Sequence, residues 1–131
     1  MAQARRQFVQ FAAVGAVGFV VDATVLSAII FLSGASPYSA RVGSYLVAAT
    51  ATWWLNRRFT FRDASDLRPL RQWRRFLAAN VTGAVVNYVV FATLIGVWPL
   101  APLQPVLAVA AGSAAGLVFN FRVSRALVFS R

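Results

Sequence analysis

Polar side chains recur at matching depths in two long apolar stretches of this 131-residue chain. Asp22 and Asn87 lie 65 positions apart, each within an apolar run. The same offset, or one residue less, relates three further pairs: Gly18 and Gly83, Pro37 and Pro102, and Asn56 and Asn120. These matches indicate an internal duplication, and a duplicated apolar hairpin with polar groups at corresponding depths is typical of membrane transporters.

Asp22 is the polar residue whose predicted position in a membrane helix costs the most free energy. An ionised carboxylate near the middle of a membrane helix costs about 2.5 to 3.5 kcal/mol on insertion scales, so it should face protein or water. Small and polar residues at spacings of three and four share its helical face: Gly15, Gly18 and Asp22. The second apolar stretch repeats this pattern with Asn80, Gly83 and Asn87. We predict a midplane polar site of Asp22, Asn80 and Asn87. The structural alternative is interhelical hydrogen bonding, which averages about 0.6 kcal/mol.

Amides next to arginines suggest a second site at the end of each hairpin. A guanidinium offers paired donors to a phosphate, and an adjacent amide can bind a neighbouring oxygen. The predicted residues for a phosphate or lipid headgroup are Asn56, Arg57, Arg58, Asn120, Arg122 and Arg125.

Residue types that are missing exclude several kinds of chemistry. The chain has no cysteine and no histidine, so thiol catalysis, disulfides and a Ser-His pair cannot form. Its three acids are Asp22, Asp63 and Asp66. They make no convincing acid and base pair, although a metal site of Asp63 and Asp66 at an interface stays an alternative. We therefore predict a protein that is not an enzyme and has no cofactor and no metal.

Apolar residues make up 60% of the chain, too many for a soluble fold to cover. Each apolar stretch holds two spans of about 20 residues, the length that crosses a bilayer. The predicted fold is an all-α membrane protein with one transmembrane domain, 1–131, made of a hairpin at 8–61, a basic loop at 62–75 and a second hairpin at 76–129. The four predicted helices are 8–32, 38–56, 76–98 and 104–121, with turns at 33–37 and 98–102.

The arginines predict the orientation of the chain. All 13 basic residues are Arg, and only Arg41 falls on the opposite side from the other 12. This asymmetry places both termini and the central loop in the cytoplasm. It also accounts for the net charge of +10, so we predict no nucleic-acid partner. Because each repeat has two spans, the halves would be related by an axis along the membrane normal.

Small residues also recur every four positions in the second and fourth helices, which lets helices approach closely. Gly112 and Gly116 form a GxxxG motif, and we assign them to helix packing together with Gly15, Gly18 and Gly83. The packing partner is either another helix of the same chain or a second subunit.

The order of these motifs resembles the GtrA-like family of small four-helix bacterial membrane proteins. The similarity runs from Phe11 to Asp22, through the segment 56–61, to Asn87 and the segment 120–129. It implies a protein of the bacterial cytoplasmic membrane that moves polyprenyl-phosphate-linked sugars across the bilayer for cell-surface polysaccharide synthesis. The arginines and asparagines at the hairpin ends would then capture the phosphate, and the midplane residues would bind sugar hydroxyls.

Four short helices leave little room to enclose a sugar, so we expect a homodimer or a complex with a membrane glycosyltransferase, besides membrane lipids. Two other functions remain open. A scaffold that recruits a glycosyltransferase would need the segment 63–75 more than Asp22. A small multidrug-type, proton-coupled exporter would share the size and the membrane carboxylate but should favour cations, whereas the arginines favour anions.

Overall fold

The computed structural model describes residues 1–62, 68–97 and 104–129. Within these ranges the secondary structure is helical and contains no strand. The chain divides into two compact units, Met1–Pro69 and Leu70–Ser130, and each contains two long helices. The predicted turn at 98–102, the acids Asp63 and Asp66, and Arg131 lie outside the described residues.

The first unit is a hairpin of α1 (Ala2–Ser33) and α2 (Pro37–Leu55). Helix α1 stops at Gly34, whose φ of 65° is left-handed and whose N–H donates to the Ile30 carbonyl at 3.0 Å. Glycine adopts this conformation without a steric penalty, so it ends helices readily. Ser36 then caps α2 by accepting the Ser39 N–H at 3.4 Å, and Pro37 is at the first position, where its missing N–H costs nothing. The turn that the sequence predicted at 33–37 is confirmed.

Helix α2 does not end with a loop but widens into a π-helical turn, Asn56–Thr60. The Phe61 N–H donates to the Asn56 carbonyl at 2.8 Å, five residues back. A π-turn inserts one extra residue into a helix and is often found at functional sites.

The second unit contains α3 (Pro69–Val97), except for its first residue, and α4 (Gln104–Val123). Helix α4 continues into a second π-helical turn, Ser124–Val128. There the Phe129 N–H donates to the Ser124 carbonyl at 2.8 Å. Both units therefore end in the same local backbone geometry.

Two helices are longer than the sequence predicted. The hydropathy pattern shows only the apolar part of a helix and does not show the polar turns that precede it. Helix α1 begins at Ala2, and α3 begins at Pro69. Residues 69–75, predicted as part of a loop, are helical, which corrects that prediction. Arginine is a good helix former and Pro69 suits a first helical position, so the helix extends through the charged residues.

Helix α1 and the Pro69–Leu94 part of α3 are each long and apolar enough to span a membrane. At 1.5 Å per residue, the 32 residues of α1 extend over about 48 Å, more than the roughly 30 Å of hydrocarbon in a bilayer. Its first turns, with Arg5 and Arg6, can therefore lie beyond the apolar layer. Large apolar side chains are exposed along both helices: Val17, Phe19, Val20, Phe31 and Leu32 on α1, and Val81, Val85, Val89 and Val97 on α3.

An aromatic pair closes each hairpin at its arginine-rich end. The rings of Phe11 and Phe61 meet edge to face, with centroids 6.3 Å apart and an interplanar angle of 66°. Phe76 and Phe129 meet in the same way at 6.1 Å and 67°. All four side chains are buried, and edge-to-face pairs contribute about 0.5 to 1.5 kcal/mol beyond the area they bury. These contacts hold each π-turn against the first helix of its own hairpin.

Candidate functional site: an arginine and tryptophan cavity

The first hairpin carries a wide, open cavity of about 670 Å³ at the end of α2. Its walls come from the last turn of α2, the π-turn and the residues that follow: Trp53, Trp54, Arg57, Arg58, Phe59, Arg62 and Pro69. Of the residues that the structure describes, three with guanidinium groups and none with a carboxylate line it, so this described lining favours an anion.

Tryptophan rings position two of these arginines. The Arg57 Cζ atom lies 5.9 Å from the Trp53 ring centroid, and the Arg58 Cζ atom lies 5.9 Å from that of Trp54. Both pairs are four residues apart, the spacing that brings side chains together on a helix. Cation–π contacts at this distance contribute about 0.5 to 1 kcal/mol at exposed sites and restrict the guanidinium plane. Restricted guanidinium planes lose less entropy when they bind a phosphate, and Arg supplies two parallel donors.

Asn56 does not belong to the cavity wall, which corrects its predicted role. The residue is 1% exposed, and its Oδ1 accepts the Thr60 hydroxyl at 2.9 Å. Asn56 and Thr60 lie on the buried side of the π-turn, and Arg58 is on its exposed side. Asn56 therefore stabilises the turn that presents the arginines.

Ser124, and not Asn120, occupies the position in the second hairpin that Asn56 occupies in the first. Both residues begin a π-turn, both are buried, and each lies five residues before the phenylalanine of an aromatic pair. The geometrical offset is thus 68 residues, since 124 − 56 = 68, and not the predicted 64. Asn120 instead lies against Gly83, as Thr52 lies against Gly18. The offsets of 64 and 68 residues differ by four residues, which is about one helical turn. Either offset therefore aligns the small residues of the two halves on the same helical face.

The cavity described in the second hairpin has fewer cationic groups than the arginine cavity of the first. Arg122 and Arg125 are exposed, and a smaller cavity of about 480 Å³ is lined by Arg75 and otherwise by apolar residues and one threonine. Arg75 Nη1 donates to the Leu127 carbonyl at 3.3 Å, so part of its donor capacity is used within the protein. This cavity has one arginine and no tryptophan, in contrast to the first.

The predicted midplane residues have different surroundings. Asp22 is half-buried in the first unit. Asn80 donates from Nδ2 to the Phe76 carbonyl of its own helix at 2.9 Å, which occupies part of its amide. Asn87 packs against α4. Because Asp22 belongs to one unit and the two asparagines to the other, their common site stays a prediction.

Four of the five predicted packing glycines lie inside the hairpins. Gly18, Gly83, Gly112 and Gly116 are buried, and a Cβ atom at Gly112 would lie 2.7 Å from both the backbone carbonyl and the Oδ1 of Asn87. The GxxxG face of α4 is therefore covered by α3 of the same hairpin, which removes it as the predicted candidate for a contact between subunits. Gly15 is exposed, and an added Cβ would meet no described atom within 4 Å, so its predicted role in packing stays a prediction about a second subunit.

Sequence reasoning missed Trp53, Trp54 and two glutamines near the hairpin ends. Gln72 is fully buried, and the Gln7 Oε1 atom is also shielded from solvent. A signal existed for each: two adjacent Trp residues stand four positions before two adjacent Arg residues, and the dipeptide Arg-Gln occurs at 6–7 and 71–72, with the 65-residue offset. We infer that the glutamines belong to the buried packing of the hairpin ends. They do not line the arginine cavity.

We compared the sequence of this chain with known proteins and protein families. No curated protein matches this chain significantly. The family described as GtrA/DPMS, transmembrane domain, matches residues 10–130, which include both hairpins. A match over this length confirms the resemblance seen in the motifs and agrees with the apolar, outward-facing helices. The chain is thus a membrane protein and belongs to the GtrA/DPMS transmembrane-domain family.

Proposed function

We propose that this protein moves a polyprenyl-phosphate-linked sugar across the bacterial cytoplasmic membrane for the synthesis or modification of cell-surface polysaccharide. The observation that carries the proposal is the cavity of Trp53, Trp54, Arg57, Arg58 and Arg62 on a hairpin whose outer surface is apolar. Membership of a membrane family associated with the handling of such lipids supports it.

The cavity suits the first step, capture of the phosphate. A lipid phosphate carries its charge at the membrane surface, where the arginines are predicted to lie on the cytoplasmic side. Arg58 is exposed and held by Trp54, and Arg57 and Arg62 add charge around the same cavity. The proposed function requires binding and no covalent chemistry, so the proposal is that this protein is not an enzyme.

Movement of the sugar would then use polar groups within the bilayer. The hydrocarbon chain can stay in the membrane, so only the phosphate and sugar need shielding. In this proposal Asp22 and Asn87 offer hydrogen bonds to sugar hydroxyls, which lowers the cost of carrying them through an apolar layer. The movement is downhill in concentration, or coupled to protons through Asp22.

A homodimer or a complex with a membrane glycosyltransferase would complete the enclosure of the sugar. The GxxxG face is occupied within the chain, so we propose that the contact uses another surface. The exposed face of α1 that includes Gly15 is one such surface, since a residue without a side chain permits close approach.

The test is reconstitution of the purified protein into liposomes with a fluorescent polyprenyl-phosphate sugar, whose outward movement is measured by reduction of the exposed fluorophore. Arg58→Ala should slow movement by about tenfold or more, since a charge-assisted hydrogen bond contributes about 1.5 to 3 kcal/mol. Arg5→Ala removes the same charge from an exposed position of the same hairpin outside the cavity and serves as the matched control.

Three outcomes would contradict the proposal. No movement by the unmutated protein, combined with retained binding of a glycosyltransferase, would favour the scaffold. Efflux of cationic dyes without movement of the lipid would favour the multidrug-type exporter. Equal slowing by Arg5→Ala and Arg58→Ala would show that net charge acts and that the cavity does not.

A further inference from the structure

A second, apolar cavity adjoins the arginine cavity on the outer face of α2. Its volume is about 550 Å³, and it is lined by Leu46, Val47, Thr50, Ala51, Trp53 and Trp54. The two tryptophans are common to both cavities. A polar, cationic space and an apolar space therefore meet along one helix.

The apolar cavity follows the helix axis as a shallow groove. Counted from Leu46, its other residues lie at spacings of one, four, five, seven and eight, which places them on one side of α2. Eight residues of a helix extend over about 12 Å. Ala51 and Thr50 form the low part between the larger side chains of Leu46 and Trp54. The Thr50 hydroxyl donates to the Leu46 carbonyl of its own helix at 2.7 Å, so the threonine can present its methyl group to the groove.

We propose that this groove binds the phosphate-proximal part of a lipid hydrocarbon chain while the phosphate of the same lipid lies among Arg57, Arg58 and Arg62. This inference rests on the proposed function for the identity of the lipid, a polyprenyl phosphate. Charge complementarity indicates the occupant, because three arginines, and no acid among the described lining residues, adjoin an apolar groove. A lipid with an anionic head and an apolar chain matches both spaces at once, whereas a free anion would use only the first.

In this proposal the lipid site belongs to the first hairpin alone. At the geometrical offset of 68 residues, Trp53 and Trp54 correspond to Phe121 and Arg122, and Phe121 is buried. The cavity described beside Arg75 in the second hairpin has neither a tryptophan pair nor a cluster of arginines in its described lining. The two halves are thus unequal, and the lipid binds on one of them.

The test measures contact between the lipid chain and the two tryptophans. Trp73→Phe and Trp98→Phe together leave Trp53 and Trp54 as the fluorophores of the chain, which has four tryptophans. In phosphatidylcholine vesicles, a polyprenyl monophosphate brominated on its first isoprene units should quench this fluorescence with saturation at low mole fraction. The brominated polyprenol, which lacks the phosphate, should quench only as much as brominated phosphatidylcholine does.

Filling the groove should weaken binding without removing the arginines. Ala51→Phe should raise the half-saturating mole fraction by about threefold to tenfold, a modest change because bulk lipid chains compete for the groove. Val42→Phe is the matched control, since Val42 is an exposed residue of the same helix outside the groove. On the unmutated chain, a photoreactive group on the first isoprene units should label residues within 46–54.

The outcomes separate this inference from the proposed function. Saturable quenching without transbilayer movement would support the lipid site and contradict translocation. Movement with quenching no stronger than that by bulk lipid, or with labelling confined to the second hairpin, would overturn the groove and leave translocation in place. Equal effects of Ala51→Phe and Val42→Phe would overturn the groove as well. Displacement of the lipid by inorganic phosphate alone, with no dependence on the chain, would reduce the site to an anion site.

Discussion

The Thr60 hydroxyl donates a hydrogen bond to Oδ1 of Asn56, 2.9 Å away, on the buried side of a π-helical turn. The exposed side of the same turn presents Arg58 to the cavity. A buried polar pair therefore stabilises the turn on whose opposite side the charged group lies. The second hairpin has Ser124 and Val128 at the corresponding positions, so the same turn forms there without this bond.

The first prediction concerns that pair. Thr60→Val should destabilise the protein by about 1 to 3 kcal/mol, since it leaves a buried Asn56 oxygen without its hydroxyl partner. The double variant Asn56→Ser, Thr60→Val reproduces the pair of the second hairpin and should recover much of the loss. Thermal unfolding in detergent measures both variants. A double variant no more stable than Thr60→Val alone would contradict the correspondence of Asn56 with Ser124.

The second prediction contrasts two glycines on different faces. Gly112→Ala should destabilise by about 1 to 3 kcal/mol, because the new methyl would lie 2.7 Å from the backbone carbonyl oxygen of Asn87, which cannot move aside as a side chain can. Gly15→Ala meets open space and should stabilise helix α1 by up to about 1 kcal/mol. The same unfolding assay compares them. A more damaging Gly15→Ala would place an unrecognised contact on that face.

The third prediction concerns orientation in the membrane. Accessibility tags at either terminus and at Ser65 should be cytoplasmic, and a tag at Ala101 should be external, because 12 of the 13 arginines fall on one side. Labelling of intact cells with a membrane-impermeant reagent measures this. An external tag at Ser65 would put the arginine cavity on the wrong side for capture of a lipid made in the cytoplasm.

The fourth prediction concerns Asp22. Asp22→Asn keeps the volume and much of the hydrogen bonding but removes the charge, so translocation should fall at least tenfold while stability is equal or improved. Asp22→Ala should lower both activity and stability. Translocation by purified proteins at matched density, together with its dependence on pH, measures the effect. Rates of the Asn variant equal to those of the unmutated protein would assign Asp22 to helix packing, the role that Asn87 fulfils against α4.

Much of the fold could be predicted from the sequence, because membrane helices are specified by local properties. Apolar length, turn residues and capping residues act over a few positions, so the start of α2 and the turn at 33–37 were predicted within a residue or so. The extension of α3 to Pro69 was missed, because a charged helical turn beyond the bilayer has no apolar signal.

The candidate site was only partly predictable. The sequence by itself determined that arginines gather at the hairpin ends, that polar residues recur at matching depths and that the chain suits a bilayer. It did not determine which side of the turn each residue would take. Asn56 and Arg58 are two positions apart and so lie on opposite sides of a helix. Only the packing of the turn against α1, through Phe11 and Phe61, decides that Asn56 is the buried one.

The tertiary structure also decided the register between the halves. Offsets of 64 and 68 differ by about one helical turn, so a pattern of small residues every four positions fits both equally well. Packing removes the ambiguity, because Asn120 lies against Gly83 where Thr52 lies against Gly18. A repeat of small residues every four positions does not fix how the two halves align. The alignment follows from contacts between helices, which join residues far apart in the chain.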